Sequence, residues 1–223
     1  MLYKNLRVRI DHMINMIIVT LDARDLYTYS HSERVAAISV LIATEMRLSD
    51  EQVEKIHISA HLHDIGKIGV TDVVLNKSGK LSKDEIVQIQ AHSLIGSNIL
   101  NRIDIFKEIA TIVLHHHERY DGAGYPDSKR KEEIPLESRI IAVADSFDAI
   151  TSDRPYCLGS NYEEGFDEVQ NHVYDQFCPI VYKSFNGVKK EIPPLLNTIQ
   201  RVRVQHTAFV GHEDLIHSRR ILP

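Results

Sequence analysis

Apolar residues recur every three or four positions along most of this chain, which is the period of an amphipathic helix. No segment shows the sustained alternation of apolar and polar residues that a half-buried strand requires. We therefore expect an all-α fold. The pattern predicts helices over residues 1–23, 30–48, 49–66, 82–101 and 106–117, and a buried helix around residues 140–150.

Serines and glycines mark where these helices begin and end. Ser49 and Ser82 are residues of the type that caps a helix N-terminus, and Gly66 suits the left-handed position that ends a helix. Residues 70–81 lack a helical period and predict a loop. Residues 120–135 hold two glycines, two prolines and many charges, which predicts a long surface loop of the kind that often carries function.

The 223 residues divide into three segments of different character. We expect an N-terminal helix or linker over residues 1–20 and one helical domain over residues 21–187. Residues 188–223 are expected to form an appendage of unknown function, with one candidate helix at residues 195–204. The N-terminal helix is a candidate surface for a homodimer or for a signalling partner.

Composition excludes several classes of protein. With 26 basic and 31 acidic residues the chain has a formal charge of −5, so it lacks the positive field that grips a DNA or RNA polymer. Two cysteines are too few for a disulfide framework, which favours a cytoplasmic setting. The apolar run over residues 13–21 is shorter than the roughly 20 residues that cross a bilayer, so we expect no membrane span.

Ionisable residues interrupt two strongly apolar segments. His63 and Asp64 lie together at the end of one predicted helix, and Asp145 lies within another. Burying such groups costs several kcal/mol unless they are paired, and a metal ion would pair with both types. A single buried histidine is more often a hydrogen-bonded core residue, and a single aspartate can merely cap a helix. The metal hypothesis therefore depends on these residues acting together.

A mixed set of imidazoles and carboxylates has a defined chemical preference. Such ligands favour iron or manganese, with zinc or nickel as alternatives, over calcium or magnesium. An aspartate can bridge two ions through its two oxygens. Two ions about 3.5–4 Å apart activate a water molecule and neutralise a phosphoryl group, which is the chemistry of phosphodiester hydrolysis.

Several ordered motifs resemble those of the HD-GYP domain family, a group of metal-dependent phosphohydrolases. The resemblance covers roughly residues 21–185 and is specific, because long motifs match in the right order and spacing. No motif requires His57, His61 or His115, which are more simply core or surface residues. The matching segments are His31 to Val35, His63 to Lys67, His92, His116 to Pro126 and Ala144 to Tyr156.

The resemblance implies an HD-domain helical bundle with a binuclear metal centre. It assigns one ion to His31, His63, Asp64 and Asp145, and the other to Asp64, His92, His116 and His117. It also assigns Lys67 to the catalytic centre beside Asp64, where an ammonium orients the scissile phosphate or protonates the leaving oxygen. Asp148 is either a carboxylate that orients a histidine ligand or a helix cap. The resemblance and the residue chemistry together suggest four substrate-binding residues: Gly124, Tyr125, Pro126 and Arg154.

The leading functional hypothesis is hydrolysis of the cyclic dinucleotide cyclic di-GMP to pGpG, GMP or both, through a metal-bridging hydroxide. Two departures from the family pattern bear on it: Cys157-Leu158 replaces residues that are usually basic, and Tyr27 replaces a glutamate that holds a third ion in some members. We therefore expect two ions. The alternatives are a binding module with negligible turnover and a phosphohydrolase for another nucleotide, such as cyclic GMP-AMP.

Overall fold

The computed structural model describes residues 28–152 and 159–201, together with positions 14, 16, 17 and 20. Within these residues the secondary structure is helical, and an isolated bridge between Val173 and Phe177 is their sole β contact. The expected all-α fold is therefore confirmed. Several features of the sequence analysis lie outside the described residues: most of the predicted N-terminal helix, Arg154, the Cys157-Leu158 pair and residues 202–223. None of the described helices is long and apolar enough to span a bilayer.

The described chain folds as a bundle of α-helices joined by short 3₁₀ turns. The 3₁₀ turns span Ile65–Gly69, Asp104–Phe106 and Lys131–Glu133. Residues 192–201 are also helical. The α-helices are α1 (Thr28–Glu45), α2 (Asp50–Leu62), α3 (Asp72–Leu75), α4 (Lys83–Leu100), α5 (Lys107–Leu114), α6 (Leu136–Thr151), α7 (Tyr162–Asn171) and α8 (Pro179–Gly187).

Both predicted serine caps are present. The Ser49 hydroxyl accepts the Gln52 backbone N–H at 3.3 Å, and the Gln52 side chain accepts the Ser49 backbone N–H at 3.2 Å. Ser82 and Glu85 form the same reciprocal capping box at the start of α4. These side chains satisfy backbone donors that a helix N-terminus otherwise leaves unpaired.

Several predicted boundaries were wrong. The segment 70–81 is not entirely loop, because it contains α3. Helix α2 ends at Leu62 rather than at Gly66, which lies in a 3₁₀ turn. Helix α5 ends at Leu114, so residues 115–117 form a turn instead of a last helical turn. Local periodicity could not detect these changes, because tertiary contacts end the helices.

Two clusters of buried apolar residues hold the bundle together. The larger lies where α1 packs on α2 and α6, and it includes Ile38, Phe147 and Phe185. The smaller joins α2, α4 and α5 through residues such as Leu62 and Val113, and Ile14 from the N-terminal segment packs into it. Periodicity missed α7 and α8, which cover the larger cluster. Val188, Ile192 and Leu196 are buried in that cluster as well, so part of the predicted appendage packs on the core.

Candidate metal centre

All seven side chains that the family resemblance assigns to metal binding lie close together. Separate elements supply them, so the fold brings together residues up to 114 positions apart, such as His31 and Asp145. The residues are His31 on α1, His63 and Asp64 just after α2, His92 on α4, His116 and His117 in the turn after α5, and Asp145 on α6.

Asp64 lies between two groups of histidines. Its Oδ2 is 3.3 Å from Nε2 of His63 and 3.8 Å from Nε2 of His31. Its Oδ1 is 3.5 Å from Nε2 of His92. The two carboxylate oxygens therefore face different histidines, as a bridging ligand requires. Two groups have ligand atoms near enough to hold an ion: His31, His63 and Asp64; and His92, His116 and His117.

Three of the histidines are held in one tautomer by the backbone. Nδ1 lies 2.6 Å from the carbonyl oxygen three residues earlier in His63, His92 and His116 alike. Because a carbonyl only accepts, each Nδ1 must carry the proton and donate it. In its neutral form each ring therefore presents an unprotonated Nε2 to the interior of the site, which is the form that ligates a metal.

The unprotonated nitrogens have no adequate partner within the described protein. Nε2 of His92 and Nε2 of His116 are 3.3 Å apart, although in the neutral rings both are acceptors. The buried Nε2 of His63 has no hydrogen-bond partner among the described residues. Buried polar atoms are rarely left without a hydrogen-bond partner. A pair of divalent cations would satisfy all of them, so the donor set fits the expected metal ions.

The protonation states also suit cation binding. Burial, together with the neighbouring histidines, lowers the pKa of His92 and His116 and lowers the pKa of His117 to about 3. Burial opposes ionisation of Asp64, but the Lys67 ammonium outweighs it and holds the pKa of that carboxyl well below its usual range. Neutral imidazoles and ionised carboxylates are the forms that bind metals.

His31 is held by two carboxylates instead of by a backbone carbonyl. Its Nδ1 is 2.8 Å from Oδ2 of Asp148, and its Nε2 is 3.2 Å from Oδ1 of Asp145. Burial lowers the pKa of His31, but hydrogen bonds to the two aspartates outweigh burial and raise it to about 9. A cation between His31 and Asp145 would replace the Nε2 proton, while Asp148 would keep the proton on Nδ1.

Asp148 is fully buried, and sequence reasoning missed its second partner. Arg34, one turn after His31 on α1, donates to both oxygens of Asp148, with Nη2 at 2.9 Å from Oδ2. Asp148 also accepts from the Ser152 hydroxyl at 3.2 Å near the end of its own helix. The carboxylate thus orients His31, whereas its contact at the helix end is with a side-chain hydroxyl and not with a backbone N–H, so it does not act as a helix cap. The signal available in the sequence was Arg34 within the motif that begins at His31.

Lys67 and Gly66 follow Asp64 in the 3₁₀ turn. The Lys67 ammonium lies 2.7 Å from Oδ2 of Asp64, beside the metal ligands as expected. Gly66 packs directly on α4: a β-carbon there would lie 1.8 Å from the carbonyl oxygen of His92. Only glycine permits this approach, which brings Asp64 within reach of His92.

The loop that contains Gly124, Tyr125 and Pro126 folds back onto the histidine turn. The Tyr125 ring is stacked on the His117 ring, with centroids 4.9 Å apart and planes 30° apart. A β-carbon on Gly124 would lie 2.6 Å from the Glu118 α-carbon, so glycine is required for this contact. These three residues therefore lie beside the candidate centre. Their role in substrate binding stays a prediction.

A third group, formed by His115, Glu118 and Asp127, also has ligand atoms near one another. The Glu118 oxygens are already engaged, because they accept the backbone N–H groups of Asp127 at 2.7 Å and Lys129 at 3.1 Å. This group therefore anchors the loop. Sequence reasoning quoted Glu118 within a motif but gave it no role.

His57 and His61 form a separate edge-to-face pair on α2, with ring centroids 4.6 Å apart. Burial and the nearby imidazoles lower the pKa of His61 to about 3, so it is neutral. Neither belongs to the two groups around Asp64.

Comparison with known families identifies the class of protein. Residues 15–179, about three quarters of the chain, match the HD domain family, and the chain belongs to that family. Its motifs, from His31 through the Gly124-Tyr125-Pro126 loop to Asp148, assign it to the HD-GYP group within the family, as the sequence predicted.

Curated relatives are enzymes of cyclic dinucleotide metabolism. A cyclic di-GMP phosphodiesterase from Thermotoga maritima is 38% identical over 95% of this chain and 57% of its own length. A cyclic di-GMP phosphodiesterase response regulator from Xanthomonas campestris is 47% identical over 61% of this chain and 36% of its length. A 3′3′-cGAMP-specific phosphodiesterase from Vibrio cholerae is 37% identical over 77% of this chain and 36% of its length. The chain thus spans about a third to somewhat over a half of these relatives.

Solved structures share the fold. A cyclic GMP-AMP-specific phosphodiesterase from V. cholerae superposes with a TM-score of 0.64 at 20% identity, over 85% of this chain and 53% of that one. The HD domain of the Listeria monocytogenes phosphodiesterase PgpH, solved in complex with cyclic di-AMP, superposes with a TM-score of 0.58 at 18% identity, over 82% of this chain and 96% of that one. At these identities the likeness shows the helical HD fold alone.

Proposed function

We propose that this chain is a metal-dependent phosphodiesterase that hydrolyses cyclic di-GMP to pGpG, GMP or both. The observation that carries the proposal is the placement of Asp64, whose Oδ2 faces His63 at 3.3 Å and whose Oδ1 faces His92 at 3.5 Å. One carboxylate between two sets of imidazole nitrogens is suited to joining two cations. The names of relatives from T. maritima and X. campestris support cyclic di-GMP as the substrate.

The candidate ligands divide into two sets that share Asp64. One ion would be held by His31, His63, Asp64 and Asp145, and the other by Asp64, His92, His116 and His117. Imidazole and carboxylate donors favour iron or manganese, with zinc or nickel as alternatives. When bound, the two ions would supply charge neutralisation at the scissile phosphate and activation of the attacking water.

The protein's own residues would position the substrate and move its protons. Lys67 lies 2.7 Å from Asp64, so its ammonium stays beside the two predicted metal ions. From there it would orient the scissile phosphate or protonate the leaving 3′ oxygen. Gly124, Tyr125, Pro126 and Arg154 are the proposed substrate-binding residues. Arginine suits this role because its guanidinium can contact a phosphate through two N–H groups.

Anaerobic purification, metal analysis and a cyclic di-GMP hydrolysis assay test the proposal on matched variants. Asp64→Asn removes the bridging charge with little change in shape, and Asp167→Asn makes the same change at an exposed site on α7. We expect wild type and Asp167→Asn to bind about two metal ions per chain and to turn over the substrate. Asp64→Asn should lose both the bound metal and the turnover. Equal metal content and turnover in all three proteins would contradict the binuclear centre.

Cyclic GMP-AMP is a second candidate substrate. The 37%-identical relative from V. cholerae is specific for 3′3′-cGAMP, and Cys157-Leu158 stands where the family usually carries basic residues. Comparison of kcat/KM for cyclic di-GMP, 3′3′-cGAMP and linear pGpG separates the two substrates. Saturable binding without turnover would instead indicate a nucleotide-binding module.

A further inference from the structure

His117 differs from the other candidate histidine ligands in how its ring is held. The other four each have Nδ1 fixed by a hydrogen bond: His31 by Asp148, and His63, His92 and His116 by backbone carbonyls. Among the hydrogen bonds of the described residues, none involves the His117 imidazole. Its orientation must therefore come from packing.

Tyr125 packs face to face on the His117 imidazole. Its ring is stacked on the His117 ring with a centroid separation of 4.9 Å and an interplanar angle of 30°. The rings of His116, at 4.0 Å, and His92, at 5.0 Å, contact His117 from other directions. The histidine is therefore enclosed by two other candidate ligands and one tyrosine. Of these contacts, only Tyr125 comes from outside the ligand set.

The tyrosine is itself fixed by its loop. The Tyr125 backbone N–H donates to the His117 carbonyl at 3.3 Å. Beyond Tyr125, the buried Glu118 carboxylate accepts the backbone N–H groups of Asp127 and Lys129, and Nε2 of His115 lies 3.0 Å from Asp127 Oδ2. These contacts tie the loop, at Tyr125 and just after it, to the segment that carries His117. A ring held in this way can restrict the rotamer of the imidazole beneath it.

We propose that Tyr125 is a positioning residue for His117, and that Glu118 fixes the loop that carries the tyrosine. The inference rests on the proposed metal centre and adds a role within it. Tyr125 replaces the hydrogen bond that orients the other histidines, so that His117 is already aligned before an ion arrives. Contact between Tyr125 and a nucleotide base is a separate role, which acts only when substrate is present.

The two roles make different predictions in the absence of nucleotide. Apo-protein is titrated with Mn²⁺ alone, and electron paramagnetic resonance of the free ion reports how many ions bind and how tightly. Loss of a group that orients a metal ligand typically weakens metal affinity by about 10–100-fold. We expect Tyr125→Leu to bind one of two Mn²⁺ ions at least about tenfold more weakly than wild type. Tyr125→Phe, which keeps the ring, should bind both ions as wild type does.

Glu118→Gln provides an independent variant, because an amide has one acceptor oxygen where two backbone N–H groups need acceptors. We expect weaker binding of the same single ion. If Tyr125→Leu fails to fold by circular dichroism, Tyr125→Met fills a similar volume without a ring and takes its place. Wild-type Mn²⁺ affinity in the ring-deleted variant, with only KM raised, would assign Tyr125 to substrate alone and overturn the inference.

His92→Ala and His117→Ala separate this inference from the proposed function. Both should lose tight binding of one Mn²⁺ ion. If they do and the ring-deleted Tyr125 variant does not, only the positioning role is wrong. If neither alanine variant changes Mn²⁺ binding, the metal centre itself is wrong.

Discussion

Nε2 of His92 and Nε2 of His116 face each other at 3.3 Å, while Nδ1 of each ring donates to a backbone carbonyl. The backbone thus fixes both protons on the far side of the rings, and the two lone pairs point at one another. This contact is unfavourable in a buried site unless a cation lies between or beside the nitrogens. Removal of the proposed ions should therefore affect the stability of the fold as well as activity.

We expect chelation to lower the melting temperature of the metal-loaded protein. An ion present at about 100 times its Kd stabilises the native state by about 2.7 kcal/mol, which corresponds to a shift of roughly 5–10 °C for a protein of this size. Differential scanning calorimetry with and without chelator measures the shift. His116→Leu removes one of the opposed nitrogens, and its melting temperature should respond much less to chelator. An identical response in both proteins would contradict the prediction.

Arg34 should be required for stability because it pairs with a buried carboxylate. In Arg34→Met, the ionisable partner that remains in contact with Asp148 among the described residues is His31. Removal of one member of a buried ion pair typically lowers the free energy of unfolding by about 3–5 kcal/mol. Urea denaturation measures the loss in the free energy of unfolding. In Arg34→Met/Asp148→Asn the carboxylate charge that Arg34 balanced is absent, so part of the loss should be recovered. Additive losses in this double-mutant cycle would show that the two residues do not act together.

Lys67 should affect the chemical step more than metal binding. Its ammonium contacts Asp64 at 2.7 Å, but it is a cation and cannot be a ligand. We expect Lys67→Ala to lower kcat by about 10²–10⁴-fold, the range for loss of a general acid or base, with the metal content unchanged. Steady-state kinetics and metal analysis on the same preparation check both statements. A parallel loss of bound metal would mean that Lys67 mainly stabilises the ionised Asp64.

Gly66→Ala should disturb both the fold and the centre. The added β-carbon would meet the His92 carbonyl oxygen at 1.8 Å, so α4 and the 3₁₀ turn would have to separate. Overpacking of this kind costs about 1–3 kcal/mol or more, and it should weaken metal binding by moving His92 away from Asp64. Gly79→Ala is the matched control, because its β-carbon would have no neighbour within 4 Å. Urea denaturation of the two variants should differ by at least about 1 kcal/mol.

Three of the candidate ligands could be recognised from the sequence for a chemical reason, whereas others, such as His31 and His92, came only from the family resemblance. His63, Asp64 and Asp145 are ionisable residues within apolar segments, a combination that a folding chain tolerates only with a partner. Helix caps such as Ser49 were likewise predictable, because a cap is formed by residues three positions apart. Both signals are local.

Contacts between distant segments were not predictable in this way. The Arg34–Asp148 pair joins residues 114 positions apart, and the motif that contains Arg34 does not identify Asp148 as its partner. The end of α2 at Leu62 was also missed, because Gly66 is required for its contact with α4 and not for a left-handed helix cap. The position of Tyr125 against His117 depends on how an irregular loop folds back, which periodicity does not describe.

The sequence by itself determined the helical class, the starts of α2 and α4 and the residue types able to hold metal ions, since periodicity, capping and the cost of burying charge act over a few neighbouring residues. Only the tertiary structure decided which oxygen of Asp64 faces which histidine, which groups orient each imidazole, and where Tyr125 lies. Those relationships depend on the packing of α1, α2, α4 and α6 against one another, and packing is a property of the whole chain.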